Sequence, residues 1–258
     1  MKDDNQFPEL DRRHASEESF HDLKYEDSAY YPYHYRLNPT YVIFQEMKEM
    51  VRSARGERVL EYGCGEGWTT AELLSLGRHI DSFDISSVAL DHASKIVERC
   101  NGSERCILKK MAAENLDYPD ESFDVIVGFA ILHHLDLSKA MPEMYRVMKK
   151  GGLAFFAEPL GTNPIINLYR KLTPQYRTAD EKPLVLSDFV HYINQFIRFS
   201  HNEYYLTALF PIGLAYLHFP DATINYFNSA CRRLDKRILS RFPTLGRYAW
   251  YTIITLEK

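Results

Sequence analysis

Between residues 58 and 158, short apolar runs alternate with amphipathic stretches. Arg58–Tyr62, His79–Asp84, Arg105–Lys109, Phe123–Phe129 and Leu153–Glu158 are brief and rich in Val, Ile, Leu and Phe, which predicts strands. Phe123–Phe129 (FDVIVGF) is apolar enough to be central and covered on both faces. Between them, Thr69–Leu76 reads as a helix closed by Gly77. Ser86–Cys100 reads as a helix capped by Ser86 or Ser87, with Val88, Ala89, His92, Ile96 and Val97 on one side. Leu137–Lys149 reads as a helix with a basic last turn and a glycine stop. This alternation predicts an α/β fold, a doubly wound, mostly parallel sheet.

The flanks are less regular. Residues 1–29 read as a mobile or loosely docked arm, followed by the aromatic run YYPYHY. Tyr41, Phe44, Met47, Lys48 and Val51 then recur at helical spacing, with Gly56 as the stop. Beyond Glu158, Pro159, Pro164, Pro174 and Pro183 punctuate an insertion-like stretch. Ser187–Phe196 looks helical, and Tyr248–Leu256 (YAWYTIITL) reads as a strand returning to the sheet. The chain thus divides into an N-terminal arm and lid (1–50), a ligand-binding core (51–160), a cap insertion (161–247) and a final strand (248–258).

Composition narrows the function. The net charge of −4 implies no general affinity for nucleic acid or an anionic membrane. The charge is uneven: residues 151–258 carry 12 Lys and Arg against 8 Asp and Glu, and residues 1–150 carry 19 against 27. Cys64, Cys100, Cys106 and Cys231 form no CxxC pair, so neither a zinc motif nor a disulfide framework is expected. The polar, acidic first twenty residues lack an apolar run, and a reduced cytoplasmic location is the expectation. Tyr204–Pro220, interrupted by Pro211 and Gly213, reads as core or pocket wall rather than a span. The basic run Arg232–Arg241 reads as an exposed helical face that could also approach an anionic membrane.

The densest local signal is Val59–Gly67, VLEYGCGEG. Glycines at 63, 65 and 67 follow the first strand, where ligands of such sheets bind at the carboxyl ends. A phosphate loop would need a GKS or GKT ending, which is absent. Glu61 would repel a pyrophosphate but suits a cofactor carrying an ammonium or sulfonium. Asp84 ends the second strand, where a carboxylate can accept both hydroxyls of a ribose; the alternative is a helix cap or turn residue.

VLEYGCGEG, FDIS, MAAENLDYPDESFDVIVGFAILHHL and VMKKGGLAFFAEP together resemble the successive motifs of class I S-adenosylmethionine-dependent methyltransferases. The likeness covers roughly residues 57–160, and the branch is similar to the small-molecule enzymes of ubiquinone and menaquinone biosynthesis. It implies that Glu61, Gly63, Cys64 and Gly65 hold the methionine part of S-adenosylmethionine. It also implies that Asp84 holds the ribose, Ile85 packs on adenine, Ala113 and Glu114 border the adenine edge, and Phe129 flanks the cofactor. Ala112 stands where related sequences often carry an acid.

Methyl transfer is an in-line displacement, so the protein aligns the groups, excludes water and removes a proton where the acceptor is a hydroxyl. His133, beyond the fourth strand, and Glu158, ending the fifth, are the candidate base and its partner, with packing as the alternative role for the histidine. His134, Tyr33, Arg170 and Arg177 are read as substrate-side residues; the two arginines could instead form a solvated face. Asp136 and Glu158 fall short of an octahedral metal set, so no metal is expected. The run GFAILHHL lacks the Pro-Pro-aromatic pattern of base-methylating enzymes, which argues against a nucleic-acid substrate. The expected activity is methyl transfer to a small organic acceptor, most simply a hydroxyl of a natural product, sugar or quinone-like ring. The same pocket could serve non-methyl chemistry such as cyclisation, or binding alone. The oligomeric state is left open.

Overall fold

A computed structural model describes residues 7–26, 39–176, 178, 181–208, 210, 211, 214, 217 and 219–258. Seven strands form one sheet: β1 (Arg58–Tyr62), β2 (His79–Asp84), β3 (Cys106–Lys110), β4 (Phe123–Phe129), β5 (Met148–Pro159), β6 (Arg198–Tyr204) and β7 (Tyr251–Glu257). Their order is β3-β2-β1-β4-β5-β7-β6. The first five run parallel, and β7 lies antiparallel between β5 and β6. Strand order reverses between β1 and β4, so the carboxyl ends of those strands open a crevice.

Because side chains alternate along a strand, the sheet feeds two cores. Leu60, Tyr62, Ile126, Phe156 and Ile254 pack on one face. Val59, Ile80, Val125, Val127, Phe155 and Ile253 pack on the other. Helix α2 (Pro39–Ser53) buries Ile43, Phe44, Met47 and Val51 in the second core, following the predicted spacing. Helices α3 (Trp68–Leu74), α4 (Ser87–Arg99) and α5 (Leu137–Val147) match the predicted positions to within a turn. Ser86 caps α4, its hydroxyl accepting from the Ala89 N–H at 3.0 Å.

Three elements depart from expectation. The segment read as a mobile arm contains helix α1 (Phe7–Glu26). Its sequence carries no apolar stripe because the face it packs inward is polar. The segment read as one helix over Ser187–Phe196 is a single turn, Leu186–Phe189, continued by a 3-10 turn at Val190–Tyr192. Strand β6 is an edge strand of mostly exposed residues, so apolar periodicity does not mark it. Helix α6 (Pro164–Leu172) starts the cap, with Asn163 Oδ1 accepting from Ile165 and Ile166 N–H. Helix α7 (Asp221–Arg241) contains the basic run. Among the described residues, no helix is long and apolar enough to cross a membrane.

Candidate functional site

The glycine turn after β1 is left-handed at all three glycines, with φ of 65°, 51° and 87° at Gly63, Gly65 and Gly67. Close approach adds a second demand. A Cβ on Gly63 would stand 2.7 Å from the Ile131 side chain, and one on Gly65 would stand 2.8 Å from the Tyr25 hydroxyl.

Asp84 ties this turn to its neighbour. One carboxylate oxygen accepts the Gly65 N–H at 2.9 Å and the other accepts the Ser86 N–H at 2.9 Å. It therefore fills the turn-residue role and also borders a cavity. Gly63, Phe83, Asp84, Ile85, Met111, Ala112, Ala113, Glu114, Ile131, His134 and Leu135 line that cavity from the sheet and its turns, and His14, Glu17 and His21 from the lid. Of the expected cofactor residues, Gly63, Asp84, Ile85, Ala113 and Glu114 thus meet at one cavity, with Gly65 bound to Asp84.

Glu61, Cys64 and Phe129 lie apart from it. Glu61 is fully buried beneath the turn, with hydroxyls of Thr69, Thr70 and Ser82 donating to its carboxylate. Burial pushes its pKa up, against the pull of those hydroxyls. Cys64 is buried, and burial raises its thiol well above the ordinary range. Phe129 packs with Phe44, Trp68 and Tyr251 on the other face of the sheet.

The other wall is the exit of β4. Ala130 is held left-handed at φ 53°, an uncommon conformation for a residue with a side chain. Glu158, wholly buried at the end of β5, pegs the turn that follows. Its Oε1 accepts the N–H groups of Ile131 and Leu132, both at 2.8 Å, and its Oε2 lies 2.7 Å from His133 Nδ1. Burial pushes Glu158 up to about 7 and His133 down to about 4. The imidazole is accordingly neutral at pH 7. When Glu158 is ionised it can accept Nδ1–H, which leaves the lone pair on Nε2.

Helix α1 closes over both walls. His14 Nε2 lies 3.2 Å from Glu114, Glu18 pairs with Lys110, Asp22 accepts from the Ser86 hydroxyl, and Arg13 donates to the His134 carbonyl at 2.6 Å. Burial lowers the pKa of Lys24, whereas the carboxylates of Asp84, Glu181, Glu66 and Glu17 work the other way. Glu17 is buried, and its Oε1 accepts from the Thr178 hydroxyl at 2.5 Å. Burial works against its charge, but His134 and His21 outweigh that and hold its pKa below the usual carboxylate range. Glu17, His21 and His134 each bring one donor atom within 4.8 Å of the others, and His133, His134 and Glu181 do the same. Sequence reasoning missed this cluster because three of its members lie outside the motifs. The available signal was the recurrence of titratable residues at 14, 17, 18, 21 and 22, a helical period.

Arg170 donates to the Leu160 carbonyl and Asn167 Oδ1, both at 3.0 Å, so it secures the start of the cap. Tyr33 and Arg177 lie outside the described residues.

Residues 60–156 match the family described as "Methyltransferase domain". This segment is a methyltransferase domain. Over 132 residues the chain is 33% identical to a demethylmenaquinone methyltransferase of Lactobacillus johnsonii, covering 47% of this chain and 53% of that protein. The chain spans about half the length of such curated relatives, and the likeness centres on the methyltransferase domain. Among solved structures, a phosphoethanolamine N-methyltransferase of Haemonchus contortus aligns with a TM-score of 0.58 at 15% identity, over 83% of this chain and 52% of that one. A [4+2]-cyclase aligns with a TM-score of 0.55 at 18% identity, over 83% and 80%. At these identities the likeness is one of fold: the methyltransferase domain sits in the same doubly wound sheet.

Proposed function

We propose that this protein transfers a methyl group from S-adenosylmethionine to a small organic acceptor, with a hydroxyl as the acceptor group and His133 as the base. The cavity suits that cofactor. The Asp84 carboxylate and the apolar wall of Ile85 and Ala113 suit a ribose and an adenine ring. When bound, S-adenosylmethionine supplies an activated methyl on a sulfonium.

The chain's own residues do the rest. Glu158 fixes the imidazole tautomer, and His133 Nε2 then takes the acceptor proton as the oxygen attacks. Helix α1 and the cap exclude water from the transfer. The observation that carries this reading is the buried His133–Glu158 pair, whose chain neighbour His134 lines the cavity.

The test is calorimetric titration with S-adenosylmethionine and S-adenosylhomocysteine, followed by an acceptor screen that monitors S-adenosylhomocysteine release. Micromolar binding of both is expected, with turnover on a hydroxylated acceptor. His133→Ala should leave cofactor affinity nearly intact and slow turnover roughly 100-fold or more. Unchanged turnover would remove His133 as the base. Tight cofactor binding with no product from any acceptor class would turn the reading towards the non-methyl chemistry of a cyclase.

A further inference from the structure

We infer that Glu17, His21 and His134 form a binding site for one divalent first-row transition ion, clasping helix α1 to the turn after β4. This goes beyond the methyl-transfer reading and does not depend on it.

The geometry begins on α1. Glu17 and His21 stand four apart, so they share a face and can chelate together. His134 enters from the turn that Glu158 pegs. Glu17 Oε2 lies 3.1 Å from His134 Nδ1 and 3.6 Å from His21 Nε2. The His21 and His134 rings meet edge to face, with centroids 5.3 Å apart.

Glu17 Oε2 stands at ion-pair distance from both imidazoles, without the alignment of a hydrogen bond. Among the described residues, Glu17 Oε2, His134 Nδ1 and His21 Nδ1 are buried and have no hydrogen-bond partner. The Glu17 side chain is only 7% exposed. Buried polar atoms ordinarily make aligned hydrogen bonds, and two imidazoles and a carboxylate that converge without them are a set that a cation would satisfy. Supporting contacts point the same way. The Thr178 hydroxyl holds the other Glu17 oxygen, and Arg13 holds the His134 carbonyl. His133, His134 and Glu181 form a neighbouring group whose donor atoms lie within 4.8 Å of one another. Two histidines and one carboxylate leave coordination positions free, as in metal sites that bind a water or a substrate oxygen. Because Glu17, His21 and His134 also line the cavity, an ion here would fasten the lid over it.

The experiment uses the whole chain, dialysed against a chelator and without cofactor or acceptor. Zn2+ is titrated by calorimetry, and Co2+ is followed by its visible absorption. One ion per chain should bind with a Kd of about 10 µM or tighter, with a Co2+ spectrum of nitrogen and oxygen ligands. Glu17→Gln, which preserves shape, and His21→Ala should each weaken binding roughly tenfold or more. His191→Ala, at an exposed position outside the cluster, should not change it. Zn2+ should also slow amide exchange along α1. Absence of saturable binding below about 100 µM, or binding indifferent to Glu17→Gln, would overturn the site. Should His21→Ala fail to fold, the Glu17→Gln titration and the wild-type Co2+ spectrum decide. Either failure leaves cofactor binding and methyl transfer as they were.

Discussion

Two buried carboxylates serve adjacent histidines from opposite sides of the site. Glu158, on the sheet, faces His133; Glu17, on the lid, faces His134. Glu158 takes two backbone N–H groups and one imidazole, all fixed by β4 and β5. Glu17 takes only side chains, from the cap, the turn and its own helix. Burial dominates at Glu158 and pushes its pKa up to about 7, whereas the histidines dominate at Glu17 and hold it down. The same chemical group thus becomes a structural peg in one region and a charged latch in the other. What differs is whether its partners can move away.

The sharpest way to break this contrast is Glu158→Ala. It would orphan three donors beside a strained Ala130, and it should cost about 3–5 kcal/mol in a thermal or denaturant melt. Glu158→Gln keeps an acceptor for the two N–H groups but turns an amide N–H towards Nδ1. It should melt much closer to wild type, yet lose about 100-fold in turnover because Nε2 then carries the proton. Equal melting of the two variants would refute the peg.

Asp124 tests whether other sheet-side carboxylates behave as fixed pegs. It accepts Glu57 and Arg58 N–H at 3.1 and 3.0 Å and pairs with Lys149 at 2.7 Å. Asp124→Ala should cost about 2 kcal/mol in the same melt. Burial raises the Asp124 pKa, but Lys149 and the two N–H groups outweigh it, so the pKa is depressed on folding. Arg146 does the same for Glu143. The stability these groups supply is therefore complete above their unfolded values near pH 4 and lost as pH falls through the lower folded values. A pH series of melts on the wild type and Asp124→Ala should converge in acid.

On the lid, Glu17→Ala should cost less, about 1–2 kcal/mol, because its side-chain partners can relax. Its effect should appear as faster amide exchange confined to α1; a global loss matching Glu158→Ala would erase the contrast. The smallest effect belongs to Lys150, 85% exposed and 3.9 Å from Glu121. Lys150→Ala should change the melt by less than about 0.5 kcal/mol.

The legibility of the site divides along the same line. β1, β2 and β4 can be read residue for residue because apolar alternation, glycine stops and caps are local signals. The glycine turn, Asp84, His133 and Glu158 are legible because each sits at a strand end fixed by that pattern. Glu17 and His21 are not, because their partners Thr178 and His134 are distant in sequence and joined only by the tertiary fold. Helix α1 escaped a hydrophobic reading because the face it packs inward carries His14, Glu17 and His21. The contact of Arg170 with the Leu160 carbonyl is equally hidden, because a backbone acceptor leaves no mark in a sequence.

The position of β7 has a consequence for the order in which the molecule assembles. Residues 251–257 fill the gap between β5 and β6, pairing with both. During synthesis the whole methyltransferase domain emerges while β5 still presents an open row of N–H and C=O groups. Strand β5 carries Glu158 at its end, so the peg that sets His133 belongs to a strand with an unpaired flank until residues 251–257 arrive. Strands β1 to β5 are made early, and the strand that closes their sheet is made late. A nascent chain stopped before residue 251 should therefore expose a sticky edge to chaperones or to another copy of itself.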